Sequence, residues 1–273
     1  MKYTVLGSRG FIGSHLVHWL QSNAISYWAP TRDEDVFTRA LGHVIYCVGV
    51  TADFRSRPYD TVRAHVCGLL ELLERAHFDS FLYLSTTRLY AGVERALEGA
   101  TLRANPSRSD DLYNISKMLG ECLCLSSGRT NIRIARLSNV YGFEFSSDTF
   151  LSSVLRDAVG RKHVSLRTSL LSEKDYVHIH DVVQMLPQIA ASGRHTIYNV
   201  ASGVNTPHWQ ILDMLQHLTT CVVDVAPKAS TVSFPPISIE RVRQEFLFNP
   251  TPILDLLPDL VRECQRRNVV ISA

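Results

Sequence analysis

The stretch Tyr3-Thr-Val-Leu-Gly7-Ser-Arg-Gly10-Phe-Ile-Gly13-Ser-His-Leu-Val-His-Trp-Leu20 decides the fold. Tyr3 to Leu6 is a short apolar strand. From Phe11 onward the apolar residues Phe11, Ile12, Leu16, Val17, Trp19 and Leu20 recur at helical spacing. A strand, a glycine turn and a helix N-terminus make a diphosphate site, because the free N–H groups of the first turn point outward and the helix dipole favours an anion. Gly7 permits the tight turn, Gly10 lets the backbone approach a pyrophosphate, and Gly13 lets the helix pack close to the strand. Arg9, Phe11 and Ile12 belong to the same expected site. The spacing is Gly-x-x-Gly-x-x-Gly, placed directly after a strand at the N-terminus.

Working outward, Ile25 to Ala29 predicts a second strand, followed by Thr31-Arg32-Asp33-Glu34. A dinucleotide fold meets the adenosine ribose here, about 20 residues beyond the glycines. Arg32 and Arg9 together suit a phosphate dianion through charge-assisted hydrogen bonds, which favours NADP(H) over NAD(H). The alternative has Asp33 hold the ribose hydroxyls of NAD(H). His43 to Val50 is a nearly continuous apolar run, the signature of a parallel strand buried on both faces, with Cys47 and Val48 at the cofactor edge. Thr51 to Asp60 reads as a loop in which Arg55 or Arg57 reaches a substrate phosphate, Thr61 to Arg75 as an amphipathic helix, and Phe81 to Leu84 as a strand ending at Ser85-Thr86-Thr87. A helix from near Asp110 and a strand from Asn131 to Leu137 complete a doubly wound parallel α/β sheet. Beyond Gly142 the pattern loosens. Helices are expected at 150–159 and 206–218, and prolines punctuate the rest. The expected division is a dinucleotide-binding domain of residues 1–142 and 175–200 and a smaller substrate-binding lobe of 143–174 and 201–273.

Composition bounds the function. The 273 residues, 45% apolar and 20% charged, suit a globular chain that needs no disulfides. A net charge of +2 without a dense basic run argues against a nucleic-acid partner. No apolar run reaches a membrane span, and the N-terminus enters a strand at once, so no membrane and no signal peptide are expected. Cys47, Cys67, Cys122, Cys124, Cys221 and Cys264 form no Cys-x-x-Cys pair, and Cys122 and Cys124 should face different sides of a helix. Reduced thiols fit the cytoplasm. His178 and His180 flank Ile179, which reads as alternation on a strand rather than a metal site, and no metal is expected.

Tyr113 and Lys117 are four apart and share one helix face. A phenol with an ordinary pKa near 10 is a poor acid–base group at neutral pH. An ammonium nearby lowers that pKa and lets the pair exchange a proton with a substrate oxygen. Lys117 can also hold a nicotinamide ribose. A hydroxyl from Ser85, Thr86 or Thr87 completes a cradle for the oxygen.

These motifs, in this order, resemble the extended short-chain dehydrogenase/reductases, the NAD-dependent epimerase/dehydratase family. Gly7 to Gly13 resembles the family's dinucleotide turn. Ala64-His-Val-Cys-Gly-Leu-Leu70 resembles its Asn-Val-x-Gly-Thr helix, with His65 in place of Asn. Leu84-Ser-Thr-Thr-Arg-Leu-Tyr90 is similar to its Ser-Ser/Thr-x-x-Val-Tyr-Gly segment, which sets Thr86 at the catalytic Ser/Thr position beside Tyr113 and Lys117. Arg136-Leu-Ser-Asn-Val-Tyr-Gly142, Asp175-Tyr-Val-His-Ile-His-Asp181 and Tyr198-Asn-Val-Ala-Ser-Gly203 resemble further family segments, and 239–256 resembles the tail of members acting on nucleotide-activated sugars. The resemblance implies substrate contacts from Arg88, Asn139 and Arg243. It also implies a homodimer through a four-helix bundle of the helices at 61–75 and 111–126. The family's sugar 4,6-dehydratases carry Asp-Glu after the catalytic Thr, and its GDP-fucose synthases carry Cys where Arg88 stands; this chain has Thr87-Arg88. The expectation is an NADP(H)-dependent reductase of a keto group, at C4, on a nucleotide-activated sugar. The alternatives are a sugar 4-epimerase with tightly held NAD and a non-catalytic dinucleotide sensor or scaffold.

Overall fold

In the computed structural model, which describes residues 2–50, 53–147 and 149–271, the chain opens with β1 (Tyr3–Leu6), α1 (Phe11–Ser22), β2 (Tyr27–Trp28) and β3 (His43–Tyr46). Then come α2 (Pro58–Val62), a π-helical turn (Arg63–Cys67), α3 (Gly68–Arg75), β4 (Ser80–Thr86), α4 (Leu112–Ser126), β5 (Ile132–Leu137) and β6 (Asn139–Tyr141). The remainder is α5 (Phe150–Arg156), β7 (His163–Thr168), β8 (Glu173–His178), α6 (Ile179–Ser192), β9 (Ile197–Val200), β10 (Asn205–Pro207), α7 (His208–Thr219), β11 (Val222–Ser230), α8 (Glu240–Phe246) and α9 (Ile253–Ile271).

A six-stranded sheet in the order β2-β1-β3-β4-β5-β9 forms the centre, and each neighbouring pair is parallel. The apolar runs in β3, β4 and β5 match burial on both faces. One face packs Leu16 and Leu20 of α1 and Val182 and Leu186 of α6 against Val5 and Leu82. The other packs Leu69 and Leu72 of α3 and Cys124 of α4 against Val44, Phe81 and Ile134. Because the strands are parallel, the ends of β1, β3, β4 and β5 open onto one edge, where α/β sheets bind ligands.

A second core joins α5, α7 and α9 to β7 and β8 through Leu151, Leu155, Val164, Leu166, Ile211, Leu215, Leu257 and Leu260. Residues 240–248 fall within the expected substrate lobe, yet Val242 and Phe248 pack in the first core and α8 lies against β9. Beside the main sheet lie a three-stranded sheet, β10-β8-β6, and the pair β11-β7.

Several elements differ from the sequence reading. The second strand is only Tyr27–Trp28, because this edge pairs with β1 alone and the Ile25 N–H returns to Leu20 O to close α1. The third ends at Tyr46, four residues early, because the Gly7 turn crosses beside Cys47 and Val48 and the Val50 N–H donates to His65 Nε2. His178 and His180 do not alternate on a strand: His178 ends β8 and caps α6, and His180 sits in that helix. Thr51 and Ala52, which open the expected loop, lie outside the described residues, and helix begins at Pro58.

The helix expected at 61–75 carries a π-helical turn at 63–67. Such a turn spends one extra residue per coil and is frequent at functional sites. Tyr46 and Tyr83 donate hydroxyl hydrogens to the Ala64 and His65 carbonyls of that turn at 2.7 and 3.3 Å. A side chain on Gly120 would meet the Tyr83 hydroxyl at 2.3 Å, so glycine at this point lets α4 approach the turn.

Candidate active site

The glycine turn is built as the sequence predicts. Gly7 has φ +81°, and a side chain there would strike the Cys47–Val48 peptide at 2.8 Å. Gly10 caps α1 without a side-chain hydrogen bond, so the first-turn N–H groups through Gly13 keep no side-chain partner. Gly10 is exposed, and the nearest atom to a side chain at this position would be Gly7 O at 3.4 Å, which leaves room for an anion. This donor set fits the diphosphate of a dinucleotide. Phe11, Ile12, Cys47 and Val48 are half-buried around it, and burial pushes the Cys47 thiol up to about 12.

Arg9, Arg32 and Asp33 are exposed, and none makes a hydrogen bond or ion pair among the described residues. The two arginines are therefore available to a phosphate but are not clamped together by the protein. Glu34 is folded back instead: its Oε2 accepts from the Thr31 N–H at 2.7 Å.

At the neighbouring strand ends Thr86, Tyr113 and Lys117 converge. Thr86 closes β4, and its Oγ1 accepts from the Arg88 N–H at 3.1 Å. Tyr113 and Lys117 sit one turn apart on α4, both buried. Lys117 Nζ carries three N–H groups and donates one to Leu84 O at 2.8 Å, its one hydrogen bond among the described residues. Burial pulls Lys117 down to about 7, against the opposing pull of Glu121 and Cys47.

The phenol behaves differently from the sequence expectation. Burial raises the Tyr113 pKa; the Thr86 hydroxyl and the Arg88 guanidinium pull it partly back, and Lys117 is not among the groups that do so. The physical reason is the enclosure. Phe54 and His65 flank the ring at 5.3 Å each, while Arg88 lies 5.6 Å from its centre. The phenol is thus held protonated, which suits a proton donor.

His65 is a site residue whose position the sequence reading left without a role. The π-helical turn carries it inward to complete burial. Its Nε2 accepts from the Val50 N–H at 3.2 Å, and its Nδ1 lies 2.8 Å from Ser116 Oγ, which in turn donates to Tyr113 O. Burial and then the Lys117 charge lower it to about 3, so the ring is neutral. The second addition is Glu121, one turn beyond Lys117, which holds the buried Arg136 through two hydrogen bonds at 2.9 and 2.6 Å. The four-residue step from Lys117 to Glu121 was a legible signal for it.

Other expected contacts fall elsewhere. Arg55 pairs with Asp110 at 2.6 Å, and Arg57 pairs with Asp53 and Asp60, so these loop arginines are spent within the protein. Asn139 is exposed, but its amide donates to Asp175 O at 2.7 Å and ties β6 to β8. Arg243 is exposed on α8, whose Arg241 and Glu245 turn to Ile197 and Tyr198 at the start of β9. Among the described residues no hydrogen bond or ion pair joins it to the Tyr113 cluster. Arg88 alone of the expected substrate residues stands beside Tyr113. Among the described residues no group of His, Cys, Asp and Glu could hold a metal ion, and no helix is long and apolar enough to cross a membrane.

Comparison with known proteins finds relatives in sequence and in fold. The dTDP-glucose 4,6-dehydratase of Streptomyces griseus is 26% identical over 161 residues, 56% of this chain and 48% of that protein. The chain thus spans about half the length of that curated relative. The dTDP-4-dehydro-6-deoxy-D-allose reductase of a Streptomyces species is 23% identical, over 72% of this chain and 74% of its own. The structure of RMD from Pseudomonas aeruginosa complexed with NADPH superposes with a TM-score of 0.80 at 20% identity, over 97% of this chain and 99% of that one. The NAD dependent epimerase/dehydratase family matches residues 3–201, from the first strand of the sheet to just past its last. The chain belongs to the NAD-dependent epimerase/dehydratase family.

Proposed function

We propose that this protein is an NADP(H)-dependent ketoreductase acting on a nucleotide-activated keto-sugar, with the keto group at C4. The observation that carries this reading is the pairing of a buried, protonated Tyr113 with Arg88, a cation at a position next to the reacting oxygen where water elimination needs an acid or base. Gly10 and the first turn of α1 would bind the dinucleotide diphosphate, Arg9 and Arg32 its 2′-phosphate, and Lys117 its nicotinamide ribose. Held by these residues, the dinucleotide would supply the hydride for the carbonyl carbon. Thr86 and Tyr113 hold the carbonyl oxygen, and the Tyr113 hydroxyl gives it a proton as negative charge develops there. The Thr86 hydroxyl and the Arg88 guanidinium, which pull the Tyr113 pKa partly back, stabilise the phenolate that this transfer leaves behind. The similarity to a dTDP-keto-sugar reductase supports the same reading.

Following NADPH oxidation across a panel of nucleotide-linked keto-sugars tests it. Turnover with at least one is expected, and Arg32→Ala should reduce the NADPH over NADH preference by about threefold to tenfold. Copurified NAD that does not exchange, with sugar epimerisation and no net NADPH oxidation, would replace the reductase by a 4-epimerase. A homodimer belongs to the proposal. Tyr59, Leu70, Leu119 and Leu125 are 79%, 41%, 46% and 50% exposed along α2, α3 and α4, and light scattering of the eluted protein should give twice the chain mass.

A further inference from the structure

Between β2 and β3 the chain makes a tight turn, Thr31-Arg32-Asp33-Glu34, that closes on itself. The Glu34 N–H donates to Thr31 O at 3.4 Å, and Glu34 Oε2 accepts from the Thr31 N–H at 2.7 Å. The Thr31 N–H foremost, then the Thr31 hydroxyl, the Trp28 indole and the Arg39 charge, hold the Glu34 carboxyl below its usual value, outweighing desolvation.

Both flanks of the turn are anchored. The Arg39 guanidinium, from the far side, lies 3.5 Å from the centre of the Trp28 ring on the near side. The Phe37 N–H donates to Asp35 Oδ1 at 2.8 Å, and the Phe37 ring packs against the core on the α3 side, with the Arg75 guanidinium 4.0 Å from its centre. The turn is an exposed arch on fixed supports, with Arg32 and Asp33 at its two corners.

Its place matters. β2 runs parallel to β1, with Tyr27 beside Tyr3 and Trp28 beside Thr4. Continued three residues, that register sets Thr31 level with Gly7, at the edge where the dinucleotide turn lies. Arg32 and Asp33 ask opposite things of a cofactor. A guanidinium suits a 2′-phosphate, whereas a carboxylate accepts from ribose hydroxyls and repels the phosphate. The two central residues of such a turn differ in backbone conformation, so their side chains leave it in different directions. The setting of the turn therefore decides which of the two meets the ribose. A freed Glu34 would add a second carboxylate; bound to Thr31, it is withdrawn.

We propose that Glu34 is a positioning residue for the choice of dinucleotide: by closing the 31–34 turn it offers Arg32, and not a carboxylate, to the ribose, and so selects NADP(H). This rests on the NADP(H) reading and adds to it the residue that sets the turn. Glu34 acts through Arg32.

The test is fluorescence titration of the protein, without sugar, with NADPH and with NADH at one ionic strength. It compares the parent, Glu34→Gln, Glu34→Ala, Arg32→Ala and the Arg32→Ala/Glu34→Ala double variant. Glutamine keeps an oxygen for the Thr31 N–H and loses only the charge; alanine loses both. A role through charge alone would make both substitutions relieve repulsion of the 2′-phosphate and raise the NADPH preference alike. A positioning residue makes them differ: Glu34→Gln should keep or exceed the parent preference, and Glu34→Ala should lower it by about threefold to tenfold. In the Arg32→Ala background Glu34→Ala should lower it no further, because the side chain that the turn presents is gone. Both single variants should keep the parent's urea midpoint, because Glu34 is exposed. Equal preferences in Glu34→Gln and Glu34→Ala, or an undiminished loss in the Arg32→Ala background, overturn the role of Glu34 alone. A parent that binds NADH as tightly as NADPH removes the NADP(H) reading, and this inference with it.

Discussion

Arg136 and Arg88 are both withdrawn from solvent, and the protein treats them in opposite ways. Arg136 is 3% exposed beneath the sheet edge, and every nitrogen has a partner: Glu121 through two bonds, the Tyr90 hydroxyl at 2.8 Å and Glu98 O at 3.1 Å. Tyr90 passes the chain on to Asn199 Oδ1 at 2.7 Å. Against burial, which lowers it, Glu121 holds the Arg136 guanidinium above its usual pKa. Arg88 has no such partner, and burial followed by the Arg55 charge lowers it. A buried charge that is fully satisfied by the chain is architecture. One without a carboxylate partner keeps hydrogen-bonding capacity that the fold does not use.

The largest effect that would break this contrast is on stability. Arg136→Met leaves Glu121 as an unpaired buried carboxylate and should cost about 3–5 kcal/mol in urea unfolding. Adding Glu121→Leu should recover most of it, because no lone charge then remains. If the single variant unfolds like the parent, the network is not structural. Tyr113→Phe acts on the other side of the comparison. It should lower kcat by about 100- to 10,000-fold while unfolding at the parent's urea midpoint; a drop within a factor of three removes Tyr113 from the chemistry.

His65 sharpens the comparison because it is buried, hydrogen-bonded and titratable. Its folded pKa of about 3 lies below the unfolded value near 6.5, so the unfolded chain binds the extra proton. The stability this contributes is complete above pH 6.5 and is lost as the pH falls toward 3. Between pH 8 and pH 5 the loss is about 2 kcal/mol. His65→Asn should flatten the acid limb of the stability profile by that amount, and an unchanged limb would show that His65 does not govern it. The smallest effect belongs to Arg88→Leu, which should change unfolding by no more than about 1 kcal/mol. A loss as large as that of Arg136→Met would make Arg88 architectural too.

The legible part of the fold was the part written in local chemistry. The turn at Gly7 to Gly13, the apolar runs of β3, β4 and β5, and the four-residue step from Tyr113 to Lys117 were readable from local composition and spacing together with their order along the chain. Strand ends were less legible. β3 stops at Tyr46 because a turn from elsewhere in the chain crosses at Cys47, and apolar composition continues past the point where pairing stops. The π-helical turn was invisible, since the sequence 61–75 keeps an ordinary amphipathic pattern while Tyr46 and Tyr83 supply the hydroxyls that accommodate the extra residue.

The same division runs through the site. Which residue types stand near the dinucleotide turn, and their order along the chain, are properties of the sequence alone. Whether a charge is spent or free was decided only by the tertiary structure. Arg55, Arg57, Arg88 and Lys174 are all basic residues outside the α-helices, yet among the described residues the first two pair with carboxylates and the last two do not. The direction of the Tyr113 pKa was decided the same way, by Phe54 and His65 closing around the ring from elements distant in sequence. Periodicity and turn chemistry act over a few residues and can be read in one dimension. Solvation and charge pairing depend on which surfaces meet, and those meetings exist only once the chain has folded.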